Sequence, residues 1–196
     1  MKTKSISELR QDIVSGDWVV IATGRARRPH DFSARHPSPL RQSKKTCPFE
    51  TLLATASTVY AAPASAKTRD WFVQVVPNKY PSFARGGSSR IHSDGPYRWR
   101  EGIGIHDVVV FRDHERSIAQ MTDDEVEVVV RAYQERFLAL IHEKRVAYIS
   151  LFHNHGRDAG ATLSHPHSQI IAVPVIPPDI GRSIKGSAAY LHTHTQ

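Results

Sequence analysis

An α+β fold with a mostly antiparallel sheet is predicted by the order of patterned segments in the chain. Several apolar β runs come first, one long amphipathic segment follows, and two further β runs complete the pattern. There are no internal repeats.

The first strand is Trp18-Val19-Val20-Ile21-Ala22, introduced by the turn signal Ser15-Gly16-Asp17 and ended by Thr23-Gly24. Arg25-Ala26-Arg27-Arg28-Pro29 follows as a loop, and guanidinium groups just past a strand end are placed to fork onto phosphate oxygens. Residues 30–45 are rich in Pro, Ser and Arg without periodicity, which reads as loop up to Cys47-Pro48-Phe49-Glu50. Residues 51–68 read as irregular. The second strand, Trp71-Phe72-Val73-Gln74-Val75-Val76, is stopped by the two prolines of Pro77-Asn78-Lys79-Tyr80-Pro81. Residues 84–104 hold five glycines and read as one long loop, functional or disordered rather than filler. Residues 105–111, centred on Val108-Val109-Val110, form the third strand.

The helix is the clearest element. Thr122-Asp123-Asp124-Glu125 has the capping-box spacing. Behind it Val126, Val129, Val130, Tyr133, Phe137, Leu140 and Ile141 recur at helical spacing, which predicts a helix over residues 123–144. Residues 147–152 give the fourth strand, and a polar loop, residues 153–160, leads to the last strand, with Ile170-Ile171-Ala172-Val173 at its core. Beyond Pro177-Pro178 no pattern survives. Residues 1–178 therefore read as the domain, and 179–196 as a linker or the start of a second half.

Composition narrows the class. At 196 residues, with 40% hydrophobic and 23% charged, the chain supports one good core and at most two small domains. No apolar run approaches the roughly 18 residues of a membrane span, and the N-terminus shows no apolar signal-peptide core. The single cysteine, Cys47, rules out an internal disulfide framework and fits a cytoplasmic location. The formal charge is +7, with Arg25, Arg27, Arg28, Arg35, Arg41, Lys44 and Lys45 clustered near the start. That cluster is either a solvated basic face or an anion site. Basic-aromatic interleaving and nucleic-acid motifs are missing, so the expected partners include neither nucleic acid nor membrane.

The strongest chemical signal is Ser164-His165-Pro166-His167-Ser168-Gln169 at the start of the last strand. In an extended segment residues two apart project to the same side, so His165, His167 and Gln169 would line one face. Two imidazoles and a neutral amide suit a metal or a phosphoryl group equally. A second copy, His192-Thr193-His194-Thr195-Gln196, has neither a strand after it nor a glycine-rich loop before it, and reads as ordinary surface.

With its upstream Phe152-His153-Asn154-His155-Gly156 and Gly160, this motif resembles the active site of galactose-1-phosphate uridylyltransferases, members of the histidine-triad superfamily. Three more segments match in the same order. Residues 18–29 resemble the family's first strand and its Arg-Ala-x-Arg-Pro loop; Cys47-Pro48-Phe49-Glu50 stands where the family has Cys-x-x-Cys; His106-Asp107-Val108 and Asp113-His114 resemble a strand and the Asp-His after it. The resemblance covers roughly residues 8–178 and implies a histidine-triad-like antiparallel sheet, a half-barrel packed by one long helix.

What the resemblance implies for chemistry is a ping-pong nucleotidyl transfer between a nucleotide sugar and a hexose 1-phosphate. His167 would be the nucleophile, and Gln169 would donate to the phosphoryl oxygens. A glutamine where histidine-triad hydrolases carry a third histidine removes a titratable acid and favours transfer over hydrolysis. Zinc is the implied cofactor, structural because all four positions are protein, held by Cys47, Glu50, His114 and His165, with Glu50 where the family has its second cysteine. Arg25, Arg28, Asn78, Asn154, Gly160 and Thr162 match substrate-contacting positions, Thr162 standing where serine is usual. His106, His153 and His155 are expected to be supporting or surface groups.

Family members are about twice this length, so the chain reads as a fragment, a truncated frame or a half-sized relative that completes its site as a homodimer. Base identity is open, because relatives with this motif also act as ADP-sugar or dinucleoside polyphosphate phosphorylases. A catalytically incomplete zinc- or nucleotide-binding module is the third reading.

Overall fold

The computed structural model describes residues 7–22, 43–52, 58–64, 71–88, 90–156, 159, 161 and 163–194. Nine strands and two α-helices are present among them, and the class is α+β. A five-stranded antiparallel sheet in the order β3-β4-β7-β9-β8 is built from β3 Thr58–Ala61, β4 Trp71–Pro77, β7 Ile105–Phe111, β8 Tyr148–Phe152 and β9 His167–Val173. The central positions go to β4, β7 and β9, whose Val- and Ile-rich runs can be covered on both faces.

Helix α1, Asp123–Ile141, packs on one face of that sheet. Val129, Ala132 and Leu140 meet Phe72, Val73, Val75, Val109, Phe111, Ile170 and Ala172 in the main core. The predicted stripe is rotated by about one position. Val130, Phe137 and Ile141 are exposed, whereas Glu125 and Ala132 are buried. Polar anchors set that rotation. Arg136 bonds buried Asp107 of β7 at 2.6 Å, and Glu125 takes Arg116 at 2.6 Å.

Glu125 also closes the capping box, its carboxylate accepting the Thr122 N–H at 2.9 Å. Burial opposes ionisation of this carboxyl, but Arg116 and the Thr122 N–H outweigh it and hold its pKa below the ordinary glutamate value. The ionised form therefore adds stability above the unfolded-state pKa, and that contribution is lost as pH falls through the lower folded-state value. Glu125→Gln is expected to cost about 1–3 kcal/mol at neutral pH in urea denaturation. Its acid limb should also be flatter than that of the wild type.

A second sheet, in the order β2-β1-β6-β5, comes from segments the sequence reading left as loop or connection, plus the predicted first strand. β1 Glu8–Gln11 pairs on both sides, with β2 Trp18–Ile21 and β6 Tyr97–Glu101, and β5 His92–Asp94 pairs with β6. The glycine-rich stretch is thus a hairpin, turned at Gly95 with φ of +56°. β1, β5 and β6 are short and polar, and their order comes from pairing rather than apolar periodicity. Leu9, Phe83 and Val173 form a small core between the sheets, and Arg100 lies 5.0 Å over the Trp18 ring. Gly104 leads into β7 where a Cβ would stand 2.7 Å from the Ala172 carbonyl oxygen, so the backbones approach as only glycine allows.

Beyond Pro177, where the sequence shows no pattern, the chain is helical. α2, Pro178–His194, begins with Pro178 and Asp179 in its first turn and carries His192 and His194 in its last. Ile180, Ile184 and Leu191 share a helical stripe that Gly181 and Gly186 obscure in propensity terms, and no described residue of α2 is buried. No described helix is long and apolar enough to cross a membrane.

Candidate active site and metal centre

The site lies on the sheet face opposite α1, and strand register places its members. Gln74, Val110 and His167 stand level across β4, β7 and β9, as do Val76, Val108 and Gln169. One step further, the Asn78 N–H donates to the His106 carbonyl at 2.9 Å. Val108 and Val110 thus floor a shallow strip with His167 and Gln169 along one side. Phe49 and Leu52 pack against the same floor, and the Phe49 ring meets the His167 ring at 5.1 Å, edge on.

His167 is nearly buried, and its Nδ1 lies 2.8 Å from the His165 carbonyl oxygen. A carbonyl can only accept, so Nδ1 carries the hydrogen and the neutral ring holds its lone pair at Nε2. Burial pushes the His167 pKa down, with the His165 carbonyl opposing that shift. The ring is therefore neutral near pH 7, the protonation state a nitrogen nucleophile needs.

His165 has a different task from His167. It precedes β9, is fully buried, and meets the same Phe49 ring edge on at 5.6 Å. Its Nε2 donates to the Phe111 carbonyl at 2.6 Å, which turns the Nδ1 lone pair inward. There it meets Cys47 Sγ at 3.5 Å and His114 Nδ1 at 3.0 Å. The three ligand atoms lie within 4.8 Å of one another, and all three residues are buried. Glu50 joins from the His114 side, with Oε1 at 2.8 Å from His114 Nδ1 and 3.7 Å from His165 Nδ1. Its other oxygen takes Arg112 at 3.2 Å.

This donor set fits a metal ion. A ring nitrogen fixed by a carbonyl on its far side is the arrangement that metal-binding histidines use. The Cys47 thiol has its pKa raised, chiefly by burial and further by Glu50. A bound cation would reverse that preference by stabilising the thiolate. Cys47 and His165 are 118 residues apart in sequence, and His114 and His165 51 apart. Tertiary folding alone brings them together.

Of the other predicted site residues, Asn78 and Asn154 are described. Asn78 accepts the Tyr80 N–H on Oδ1 at 2.8 Å, which turns its amide nitrogen toward His106 Nε2, 3.0 Å away. Asn154 stands two residues beyond Phe152, the register partner of Gln169, at the His167 end of β9. Arg25, Arg28, Gly160 and Thr162 lie outside the described residues. His153 belongs to the other face, where Ser168 Oγ contacts both its Nδ1 at 2.9 Å and Tyr133 Oη at 2.6 Å. Its pKa is lowered by burial first and then by its histidine neighbours.

The residue underweighted from sequence is His106. It is buried, and it contacts Gln169 directly, with Nε2 to Oε1 at 2.8 Å. The available signal was its alternation with Val108 and Val110, which puts an imidazole among apolar side chains on the site face.

Residues 1–177 match the family model of the galactose-1-phosphate uridyl transferase N-terminal domain. The chain belongs to that family. Among its relatives, ADP-glucose phosphorylase of Arabidopsis thaliana is 31% identical over 190 residues, covering 93% of this chain and 53% of the relative. Galactose-1-phosphate uridylyltransferase of Thermotoga maritima is 27% identical over 172 residues, covering 87% and 48% respectively. A solved uridylyltransferase structure superposes with a TM-score of 0.68 at 24% identity, over 96% of this chain and 53% of that one. The Arabidopsis ADP-glucose phosphorylase structure with bound ADP-glucose gives 0.61 at 28% identity, over 97% and 56%. The chain spans about half the length of the curated relatives it matches.

Proposed function

We propose that the chain carries the nucleophile-bearing half of a nucleotidyltransferase site, of the UDP-glucose:hexose-1-phosphate uridylyltransferase type. The observation that carries this reading is the His167 tautomer, with Nδ1–H held by the His165 carbonyl and the lone pair at Nε2. In the first half-reaction the Nε2 lone pair attacks the α-phosphorus, the bond to the bridging oxygen breaks, and hexose 1-phosphate departs. The ring keeps its Nδ1 hydrogen, so the positive charge that develops faces the His165 carbonyl dipole. In the second half-reaction a phosphate oxygen of the incoming hexose 1-phosphate attacks the same phosphorus. The N–P bond breaks and neutral His167 returns.

Gln169, two residues along the same pleat, offers its amide to the phosphoryl oxygens, and Asn78 and Asn154 flank the strip. Cys47, Glu50, His114 and His165 would hold zinc, which supplies a rigid base for the segment leading into β9. The same proposal takes Arg25, Arg28, Gly160 and Thr162 as substrate contacts, a homodimer that completes the sugar-phosphate side, and a cytoplasmic location.

The second reading is phosphorolysis or hydrolysis of an adenine nucleotide, an ADP-sugar or a dinucleoside polyphosphate, favoured by the 31% identity to an ADP-glucose phosphorylase over most of the chain. A panel of radiolabelled UDP-glucose, ADP-glucose and a dinucleoside polyphosphate separates the two. Acid-labile label from UDP-glucose alone supports the first reading, and label from ADP-glucose alone supports the second. Label from none, with zinc and nucleotide still bound, would leave a binding module.

A further inference from the structure

We propose that His106 is a positioning residue that fixes which end of the Gln169 amide the site presents. Its catalytic consequence rests on the transfer reading above; the orientation rests on hydrogen-bond polarity alone.

The starting point is a main-chain group that cannot turn over. The Ser82 N–H donates to His106 Nδ1 at 3.1 Å, so Nδ1 holds a lone pair. The hydrogen of the neutral imidazole is then on Nε2. Nε2 lies 2.8 Å from Gln169 Oε1 and donates to it. Glutamine amides normally leave their oxygen and nitrogen interchangeable. Here a reversed amide would replace the acceptor 2.8 Å from Nε2–H by a second donor beside the Asn78 amide nitrogen. His106 is only 3% exposed, so water has little access to relieve that clash. Gln169 therefore keeps its oxygen on His106 and turns its –NH2 away from the ring.

Asn78 brings a second donor to the ring: its Oδ1 is held by the Tyr80 N–H, so its amide nitrogen lies 3.0 Å from His106 Nε2. A neutral imidazole accepts at one nitrogen only, and of the two donors the Ser82 N–H is the one fixed by the main chain, so Nδ1 is the acceptor and the Nε2 hydrogen goes to Gln169. Turned away from the ring, the Gln169 –NH2 is left as a donor beside Val108, its register partner. A phosphoryl group offers only acceptors, and this is the polarity it needs.

The test uses the full chain in single-turnover labelling with radiolabelled UDP-glucose and ADP-glucose. Gln169→Leu should slow labelling by about 10²-fold, the usual effect of losing one oriented donor. His106→Phe, which removes the hold but leaves the amide, should slow it roughly tenfold; this is an order-of-magnitude expectation. In the Gln169→Leu background His106→Phe should cost nothing more, because His106 acts only through Gln169. His106→Gln, whose amide nitrogen reaches the position of Nε2, should recover most of the rate. Nucleotide affinity, measured by equilibrium dialysis in the His167→Ala background, should stay within about threefold.

Additive losses in the double variant would overturn the proposal, as would wild-type labelling in His106→Phe. An activity-independent check is the His106 tautomer by ¹⁵N NMR. A protonated Nε2 with an unprotonated Nδ1 is expected, and the reverse tautomer overturns the orientation. Absence of labelling in the wild type defeats the transfer reading and the catalytic role together, while the NMR result still judges the amide.

Discussion

Replacing His167 with alanine is expected to abolish covalent labelling by a nucleotide sugar while zinc content and fold stay as in the wild type. The loss should be at least about 10³-fold, because the substitution removes the Nε2 lone pair that forms the covalent intermediate. The dissociation follows from the geometry. The His167 ring donates to the His165 carbonyl, meets Phe49 edge on, and is not one of the clustered donors. Removing it leaves Cys47, His114 and His165 in place. Metal analysis by atomic absorption, thermal unfolding and the labelling assay on one preparation read all three properties. A His167→Ala protein that still takes acid-labile label would remove His167 as the nucleophile.

His165→Ala should behave differently, losing metal, label and stability together. The His165 ring is fully buried, donates to the Phe111 carbonyl and faces Cys47 and His114. Its removal leaves a cavity, an unpaired carbonyl and an incomplete donor set. The combined cost is about 3 kcal/mol or more. Nucleotidylation is lost because the His165 backbone holds His167 Nδ1, and that backbone is fixed by its own ring and by Pro166, whose carbonyl accepts the Phe111 N–H at 3.4 Å. Cys47→Ser is the milder companion. It keeps the local volume, removes the soft ligand, and should lose zinc with a smaller change in melting temperature. Full zinc occupancy in both variants would show that the metal, if bound, sits elsewhere.

Legibility differed sharply along the chain. β4, β7 and β9 were readable because central strands must be apolar on both faces, which leaves a dense Val and Ile signature. α1 was readable from its capping box, yet its rotation was not, because Arg136 and Glu125 seek partners that periodicity cannot see. β1 and β6 were missed for the opposite reason. Glu8-Leu9-Arg10-Gln11 and Tyr97-Arg98-Trp99-Arg100-Glu101 are half polar, and they become strands only because each finds the other. α2 hid behind two glycines and an apolar stripe that stays exposed.

The candidate site divides along the same line. The sequence itself marked His165, His167 and Gln169 by their spacing, whereas Cys47, Glu50 and His114 entered as candidates only through the family resemblance. What the row of histidines did not reveal was the division of tasks: the Phe49 ring packs on both His165 and His167, yet His165 turns Nδ1 to Cys47 and His114 while His167 keeps its lone pair at Nε2. Which nitrogen of each ring bears the hydrogen was set by carbonyls and amides at Phe111, His165 and Ser82, all supplied by folding. Sequence specifies which groups can donate or accept. The packed backbone, whose N–H and C=O cannot exchange roles, specifies which of them do.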